Sequence, residues 1–185
     1  MTGYAFCGSY CTFRDSFCQL CALIDSGVDI VPIMSENAYS TDTRFFSACD
    51  FVRAVEEKSG KRVVHTIAEA EKFGQNRLDK LIICPCTGNT LAKIANGITD
   101  TAVTMAAKAH LRCDGRLLIA LASNDAMSQN LKNLAAILTR KSVYFLPMRQ
   151  DSPTGKPHSL VADFKMMKKA IEAMDNDTQL RPIFV

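Results

Sequence analysis

Small polar residues, several with hydroxyl groups, follow three of the apolar runs in this sequence. Gly8, Ser9 and Thr12 come after the first run, Ser35 comes after the second, and residues 87–90 come after a third. A stretch with helical periodicity follows each group, and the first N–H groups of a helix lack intrahelical partners and carry the positive end of its dipole. Hydroxyl and N–H donors in such positions bind phosphate and other anions. The sequence therefore predicts an anion site built from several of these loops.

The elements that must position these loops are strands alternating with helices. Short apolar runs predict strands at 4–7, 29–34, 61–64, 81–83, 116–121 and 143–147. Apolar residues three and four apart predict helices at 13–24, 44–58, 66–73, 91–98, 104–111, 129–138 and 160–174. Pro85 has no N–H to donate, so we expect strand pairing to stop there.

This alternation predicts an α/β fold, in which a parallel sheet of about six strands lies between two layers of helices. The class is Rossmann-like or flavodoxin-like. Loops at the carboxyl ends of neighbouring parallel strands lie side by side, so the polar loops are expected to converge on one ligand. The loop after the first strand lacks G-x-G-x-x-G, because no second glycine follows Gly8 closely. A dinucleotide site of the usual kind is therefore not expected in this chain.

Length and composition predict one soluble domain over residues 1–185, with a polar loop at 150–159 and a C-terminal tail from residue 175. Hydrophobic residues make up 48% and charged residues 22%, as in ordinary globular proteins. The net charge of +3 is too small to argue for nucleic-acid or membrane binding. No apolar run approaches the roughly 18 residues of a membrane span. We expect a cytoplasmic protein.

Eight cysteines are spread along the chain, and Cys18 and Cys21 have the spacing of a redox pair or half a zinc site. No second pair and no paired histidines complete four ligands. Reduced thiols packed as small apolar side chains are the expected state, with no bound metal.

The segment that begins at Pro85 reads P-C-T-G-N-T-L-A-K-I-A-N-G-I-T-D. It resembles the P-A-S-A-N-T-x-A-K-x-A-x-G-x-A-D signature of the homo-oligomeric flavin-containing Cys decarboxylase-like flavoproteins. That superfamily includes phosphopantothenoylcysteine decarboxylases, lantibiotic cysteine decarboxylases and flavin prenyltransferases. The resemblance implies bound FMN and trimer-based homo-oligomers. The cofactor site that it implies consists of Gly8, Ser9, Thr12, Ser35, Pro85, Cys86, Thr87, Gly88, Asn89, Thr90, Lys93, Ser123, Asn124 and Met127.

Some residues depart from the superfamily pattern. Decarboxylating members carry a histidine after the second strand, whereas residues 40–46 contain none here. Cys86 and Gly88 replace alanines that are common in the family. In the P-x-M-N-x-x-M loop, Asn124 and Met127 are kept, but the leading Pro and Met are not.

Within the superfamily, the start at residues 8–12, the loop at 85–90 and the segment 149–153 resemble the B subunits of a two-subunit synthase. The similarity runs roughly from residue 3 to residue 173. It implies a nicotinamide-binding partner, the A subunit of such a synthase, which supplies NADP, and oxidation of a dihydropyridine dicarboxylate from the lysine pathway. The similarity also implies that the protein is located in the mother cell of a spore-forming bacterium. The cations expected to bind the two substrate carboxylates are Lys93, Arg44, Arg149 and Lys156.

Two other interpretations remain open. One is an FMN-dependent decarboxylase or prenyltransferase of the same superfamily. The other is a non-catalytic subunit, because the sequence contains no obvious general base with an orienting partner.

Overall fold

The computed structural model describes all 185 residues and contains one seven-stranded sheet. Its strands are β1 (Thr2–Phe6), β2 (Ile30–Met34), β3 (Lys80–Thr87), β4 (Arg116–Ser123), β5 (Val143–Phe145), β6 (Met148–Ser152) and β7 (Lys156–Ala162). The α-helices are α1 (Phe13–Asp25), α2 (Glu36–Ser40), α3 (Ala48–Ser59), α4 (Ile67–Glu71), α5 (Gly88–Ala95), α6 (Ala102–Leu111), α7 (Leu131–Leu138) and α8 (Met167–Asp175). None of these helices has the length and apolar character needed to cross a membrane.

The sheet is mostly parallel. Strands β2, β1, β3 and β4 are parallel neighbours in that order. The first part of β4 pairs with β5, and its last two residues pair with the antiparallel strand β7, which in turn pairs with β6. One apolar cluster packs α1, α3 and α8 on one face of the sheet, and a second packs α4 to α7 on the other. The predicted three-layer α/β fold is confirmed.

The order of the strands fixes where a ligand can enter. Strand β2 lies on one side of β1, whereas β3 lies on the other side. The connections that leave the carboxyl ends of β1 and β3 therefore diverge and open a crevice between them. Ligands of doubly wound α/β folds bind at such a point.

Strand β3 does not stop at Pro85, so that prediction was wrong. Pairing with β4 continues at Cys86 and Thr87, after a register shift that follows Ile83. The Pro85 carbonyl still accepts a hydrogen bond from the Cys7 N–H at 3.1 Å. The bulge and the hydrogen bond to the Pro85 carbonyl keep the strand in the sheet, although Pro85 has no N–H to donate.

The strand predicted at residues 61–64 is reduced to one bridge, between Val64 and Ile33. Its charged residues face solvent, and Lys61 forms an ion pair with Asp29. The helix predicted from residue 44 begins only at Ala48, because nearby side chains take up the free N–H groups. Asp42 accepts a hydrogen bond from the Ala48 N–H at 2.8 Å.

The structure also corrects the predicted loop at 150–159 and the helix predicted from residue 160. Strands β6 and β7 form an antiparallel hairpin there, and α8 begins at Met167. Only residues 153–155 form the turn of this hairpin. The polar composition of residues 150–159 therefore reflects the exposure of the hairpin to solvent and not a loop. The C-terminal tail lies along β6, where the Met148 N–H donates to the Ile183 carbonyl at 2.8 Å.

Candidate functional site

The carboxyl ends of β1, β3 and β4 open into a single cleft of about 1010 Å³. The hairpin β6–β7 and the segment before α3 contribute to its other walls. The cleft lies at the crevice between β1 and β3, and its volume is at the upper end of the range for small-molecule sites. Most of its lining residues are polar or charged, so the cleft suits a large ligand with many hydrogen-bonding atoms.

Eight of the fourteen predicted cofactor residues line this cleft. They come from three separate loops, as the convergence argument required, and they are Gly8, Ser9, Thr12, Thr87, Gly88, Asn89, Ser123 and Asn124. The remaining six lie outside the cleft lining, and their role in binding a cofactor stays a prediction.

Four of these six residues belong to or cap the strands and helices next to the cleft. The Ser35 hydroxyl caps α2 by accepting a hydrogen bond from the Ala38 N–H at 3.4 Å. Thr90 is buried, and its N–H donates to the Thr87 hydroxyl at 3.2 Å, which caps the start of α5. Pro85 and Cys86 belong to strand β3.

Lys93 and Met127 have other contacts. The Lys93 ammonium lies 2.8 Å from the Asp100 carboxylate, in an ion pair outside the cleft. Met127 packs against the core, and its N–H donates to the His158 carbonyl at 3.0 Å. The Lys93 ammonium is therefore already paired with a carboxylate of this chain.

The start of α5 is packed tightly against the loop that follows β4. A Cβ atom on Gly88 would lie 2.3 Å from the Ser123 hydroxyl oxygen, 2.7 Å from the Asn130 amide nitrogen and 2.8 Å from an Asp125 carboxylate oxygen. Real Cβ atoms do not approach other atoms so closely. Glycine at residue 88 therefore leaves the room that these three polar side chains occupy.

Those three side chains form a hydrogen-bonded network around the Asp125 carboxylate. The Ser123 hydroxyl donates to Oδ1 at 2.6 Å, and the Asn130 amide donates to both carboxylate oxygens at 2.9 Å. The bond from Ser123, together with weaker ones from Asn130, lowers the pKa of the Asp125 carboxyl. The carboxylate is therefore ionised at neutral pH. Sequence reasoning missed Asp125 and Asn130, although the Ser-x-Asp spacing at the end of β4 was a usable signal.

The wall formed by residues 41–47 places a cation at the cleft. Phe46 is anchored by stacking on Phe13, with ring centroids 4.9 Å apart. The neighbouring Phe45 and Arg44 are exposed and line the cleft, and the Arg44 guanidinium lies 4.9 Å from the Phe45 ring centroid. Arg44 has no carboxylate partner among the ion pairs of the chain.

The other predicted substrate cations differ from Arg44. Lys156 lines the cleft, but its ammonium lies 2.6 Å from the Asp151 carboxylate, which raises the pKa of Lys156. Arg149 lines a separate cavity of about 190 Å³. Lys132, which sequence reasoning did not single out, also lines the cleft. Arg44 is thus the predicted cation best able to meet a ligand carboxylate.

All eight cysteines are free thiols, and three of them, directly after β1 or within β3, are fully buried. Burial raises the pKa of Cys7 to about 11 and that of Cys84 to about 12, and it also raises the pKa of Cys86 well above its usual value. These thiols are therefore protonated and unreactive. No group of three or more potential metal ligands occurs. That the chain carries no metal stays a prediction.

None of the three histidines lines the cleft. The His65 ring stacks on Tyr39 with centroids 3.8 Å apart. A ring nitrogen of His110 lies 2.9 Å from the Arg116 carbonyl oxygen, at the far end of α6.

Comparison with known proteins adds to this geometry. A family model described as flavoprotein matches residues 5–172. The chain is 36% identical to the B subunit of dipicolinate synthase from Bacillus subtilis (strain 168) over 184 residues, which cover 99% of this chain and 92% of that protein. The crystal structure of the corresponding B subunit of dipicolinate synthase from Bacillus halodurans matches with a TM-score of 0.91 and 32% identity, covering 100% of this chain and 95% of that one.

A more distant match is a dodecameric FMN-dependent Ubix-like decarboxylase from Escherichia coli O157:H7. Its TM-score is 0.65 at 26% identity, with 80% of each chain covered.

Proposed function

Because the chain belongs to the flavoprotein family, we propose that it binds FMN in the cleft and acts as the B subunit of a dipicolinate synthase. The observation that carries the proposal is the meeting of two helix-starting loops, at residues 8–12 and 87–89, with Arg44 in one cleft. The similarity to two Bacillus proteins over nearly the whole chain supports it.

The residues of the cleft fit FMN. Ser9 brings a hydroxyl group to the loop before α1, where the helix dipole favours a phosphate. The Thr12 hydroxyl donates to the Ser9 carbonyl at 2.8 Å, which orders this loop. At the start of α5, Gly88 leaves room for the polar side chains of Ser123 and Asp125 that line the cleft. We therefore assign the phosphate to residues 8–12 and the ring to the region between residues 87–89 and 123–125.

The proposed substrate is a dihydropyridine dicarboxylate, and the product is its aromatic form, dipicolinate. Aromatisation removes two electrons and two protons, and a bound flavin supplies a two-electron acceptor. Arg44 binds one substrate carboxylate, because its planar guanidinium is free and matches a carboxylate in shape. Phe45 beside it offers a flat apolar surface for the substrate ring.

In this proposal, the A subunit of the synthase holds NADP, which this chain has no dinucleotide fingerprint to bind. That A subunit docks where the cleft opens, against residues 123–127 and residues 150–159 of the hairpin β6–β7, because loops and hairpins on a rigid sheet commonly carry binding sites. The chain assembles into trimer-based homo-oligomers and acts in the cytoplasm of the mother cell of a sporulating bacterium. The dodecameric state of the Escherichia coli relative supports the assembly.

A second candidate is a protein that binds ligands but does not catalyse. The observation in its favour is that no histidine lines the cleft and that both carboxylates there already have partners. Asp151 is paired with Lys156, and Asp125 is held by Ser123 and Asn130. On this view the chain binds ligands and presents them to the nicotinamide-binding A subunit.

One experiment tests the proposal and separates these candidates. The chain is purified alone and with the nicotinamide-binding A subunit from the same organism, and then supplied with dihydrodipicolinate, FMN and NADP. We expect FMN binding by the chain alone, but sustained dipicolinate formation only by the pair. Multiple turnovers by this chain with NADP alone, or absence of FMN binding, would contradict the proposal.

Two variants sharpen the test. A pair that contains Ser9→Asp should lose activity together with FMN, and full activity without FMN would favour the non-catalytic role. Arg44→Ala should raise the substrate KM about tenfold or more, since hydrogen bonds to charged groups contribute roughly 1.5–3 kcal/mol. Lys156→Ala is the matched control with a smaller effect, because Lys156 already has a carboxylate partner.

A further inference from the structure

Asp125 has acceptor capacity that the protein does not fill. A carboxylate offers about four acceptor positions on its two oxygens. The Ser123 hydroxyl and the Asn130 amide nitrogen supply three contacts, two at Oδ1 and one at Oδ2. All the donors are neutral, and the residue lines the cleft. One acceptor position, on Oδ2, therefore remains that no donor of the protein fills.

The network also keeps this acceptor in one position. Ser123 and Asn130 are buried, with 8% and 7% of their surfaces exposed. The Asn133 amide donates to the Asn130 side-chain oxygen at 2.9 Å, so the orientation of the Asn130 amide is fixed in turn. With its lowered pKa, Asp125 is a permanent acceptor at neutral pH rather than a group that exchanges protons.

The surroundings of Asp125 define which donor fits. Side-chain amides of Asn124 and Gln129 are exposed beside it and line the same cleft. An acceptor that shares a cleft with amide donors complements a ring edge with one N–H between two carbonyl groups. The oxidised flavin ring has a single N–H, the imide N3–H, and it lies between two carbonyls.

Charge favours the same orientation. The FMN phosphate and the Asp125 carboxylate repel each other, so they are best placed at opposite ends of the cleft. The donors of residues 8–12 suit the phosphate, which leaves the pyrimidine edge of the ring for the loop after β4.

On these grounds, and resting on the proposed FMN site, we propose that Asp125 is a specificity-determining residue that accepts a hydrogen bond from the imide N3–H of the flavin. Gly88 makes the arrangement possible, because a side chain there would displace the carboxylate. The contact orients the ring with its pyrimidine edge toward Ser123 and Asn130.

The test uses Asp125→Asn, with FMN affinity measured by flavin fluorescence. Simple electrostatics predicts tighter binding when a negative charge near an anionic ligand is removed, whereas replacement of the charged acceptor by a neutral amide weakens the hydrogen bond and predicts weaker binding. We expect affinity to fall about tenfold or more, in keeping with bonds to charged groups. The matched control is Asp151→Asn, which removes the same charge from the same cleft and should leave affinity unchanged or slightly higher.

A direct readout uses FMN labelled with ¹⁵N at N3. In the wild-type chain, the imide proton should be observable and shifted downfield. In Asp125→Asn that shift should be markedly smaller, because a neutral acceptor makes a weaker hydrogen bond, whereas in Asp151→Asn it should be retained. If the Asp125→Asn variant does not fold, Asp125→Ser takes its place in both measurements, because the serine side chain is smaller and also neutral. If the imide signal of the wild type is identical to that of the Asp125 variants, the role assigned to Asp125 is overturned, but the proposed FMN site is not. Absence of FMN binding by the wild-type chain would overturn the proposed function as well.

Discussion

The sharpest test of the cleft architecture is to add one methyl group at Gly88. In Gly88→Ala, the new Cβ would lie 2.3 Å from the Ser123 hydroxyl oxygen and within 2.8 Å of atoms of Asn130 and Asp125. At least one of these groups has to move. The Ser123 hydroxyl can rotate away, but it then loses its 2.6 Å bond to Asp125.

The magnitude follows from that bond. Loss of a hydrogen bond to a charged group costs roughly 1.5–3 kcal/mol. Alanine is favoured over glycine in helices by up to about 1 kcal/mol, although less at a helix start such as this one. We therefore expect Gly88→Ala to reduce the free energy of unfolding by about 1–3 kcal/mol. For a chain of this size, each kcal/mol corresponds to roughly 2–4 °C in Tm.

Urea unfolding of four proteins measures the effect: the wild type, the two single variants Gly88→Ala and Ser123→Ala, and the double variant. Removing the Ser123 hydroxyl takes away the closest obstacle to the new methyl group. The double variant should therefore lose at least about 1 kcal/mol less than the sum of the single variants, as expected for residues in contact.

A matched control is Gly8→Ala, which adds a methyl group in the other helix-starting loop of the same cleft. Its nearest neighbours would lie at 3.4 Å, an ordinary contact distance. This variant should change the free energy of unfolding by less than about 0.5 kcal/mol, as is usual away from tight contacts. If Gly88→Ala is as stable as the wild type, or if the cycle shows simple additivity, the reasoning about tight packing at Gly88 is refuted.

Further predictions concern the cofactor and pH. Ser9→Asp places a carboxylate beside the proposed phosphate position and should abolish FMN binding in a fluorescence titration; unchanged affinity would exclude this position for the phosphate. Because burial raises the pKa values of Cys7, Cys84 and Cys86, these thiols ionise first in the unfolded chain. Stability should thus fall from about pH 8.5 to pH 11–12, by up to roughly 1.4 kcal/mol per thiol per pH unit, and Cys86→Ala should lessen the slope. Burial lowers the pKa of His110, so stability should also fall as the pH drops below about 6.5, with a slope that His110→Gln reduces.

The sequence alone determined the alternation of strands and helices and the positions of the polar loops. Both depend on neighbouring residues. The helix predicted from residue 66 has its capping box of Thr66 and Glu69 at the start of α4, because these hydrogen bonds join residues only three positions apart. The periodic apolar side chains of α1 and α3 likewise face the sheet, since the helix repeat alone places them on one side.

Tertiary structure decided the features that depend on distant partners. The Pro85 carbonyl keeps its strand paired through the N–H of Cys7, almost eighty residues away. The sequence did not predict the hairpin β6–β7, because its residues are mostly polar. The hairpin pairs with β4 and is at the same time exposed to solvent, so its strands need no apolar run.

In the cleft, too, some features follow from local sequence and others from tertiary packing. Its glycine and hydroxyl loops could be predicted, since the carboxyl ends of parallel strands meet at one edge of the sheet. Arg44 reaches the cleft because Phe46 stacks on Phe13, and Asp125 is fixed because Gly88 leaves it room. These contacts join segments that are far apart in the chain, and their distances depend on how whole elements pack. Local sequence therefore specified which loops form the site, whereas packing decided which charged side chains face the ligand.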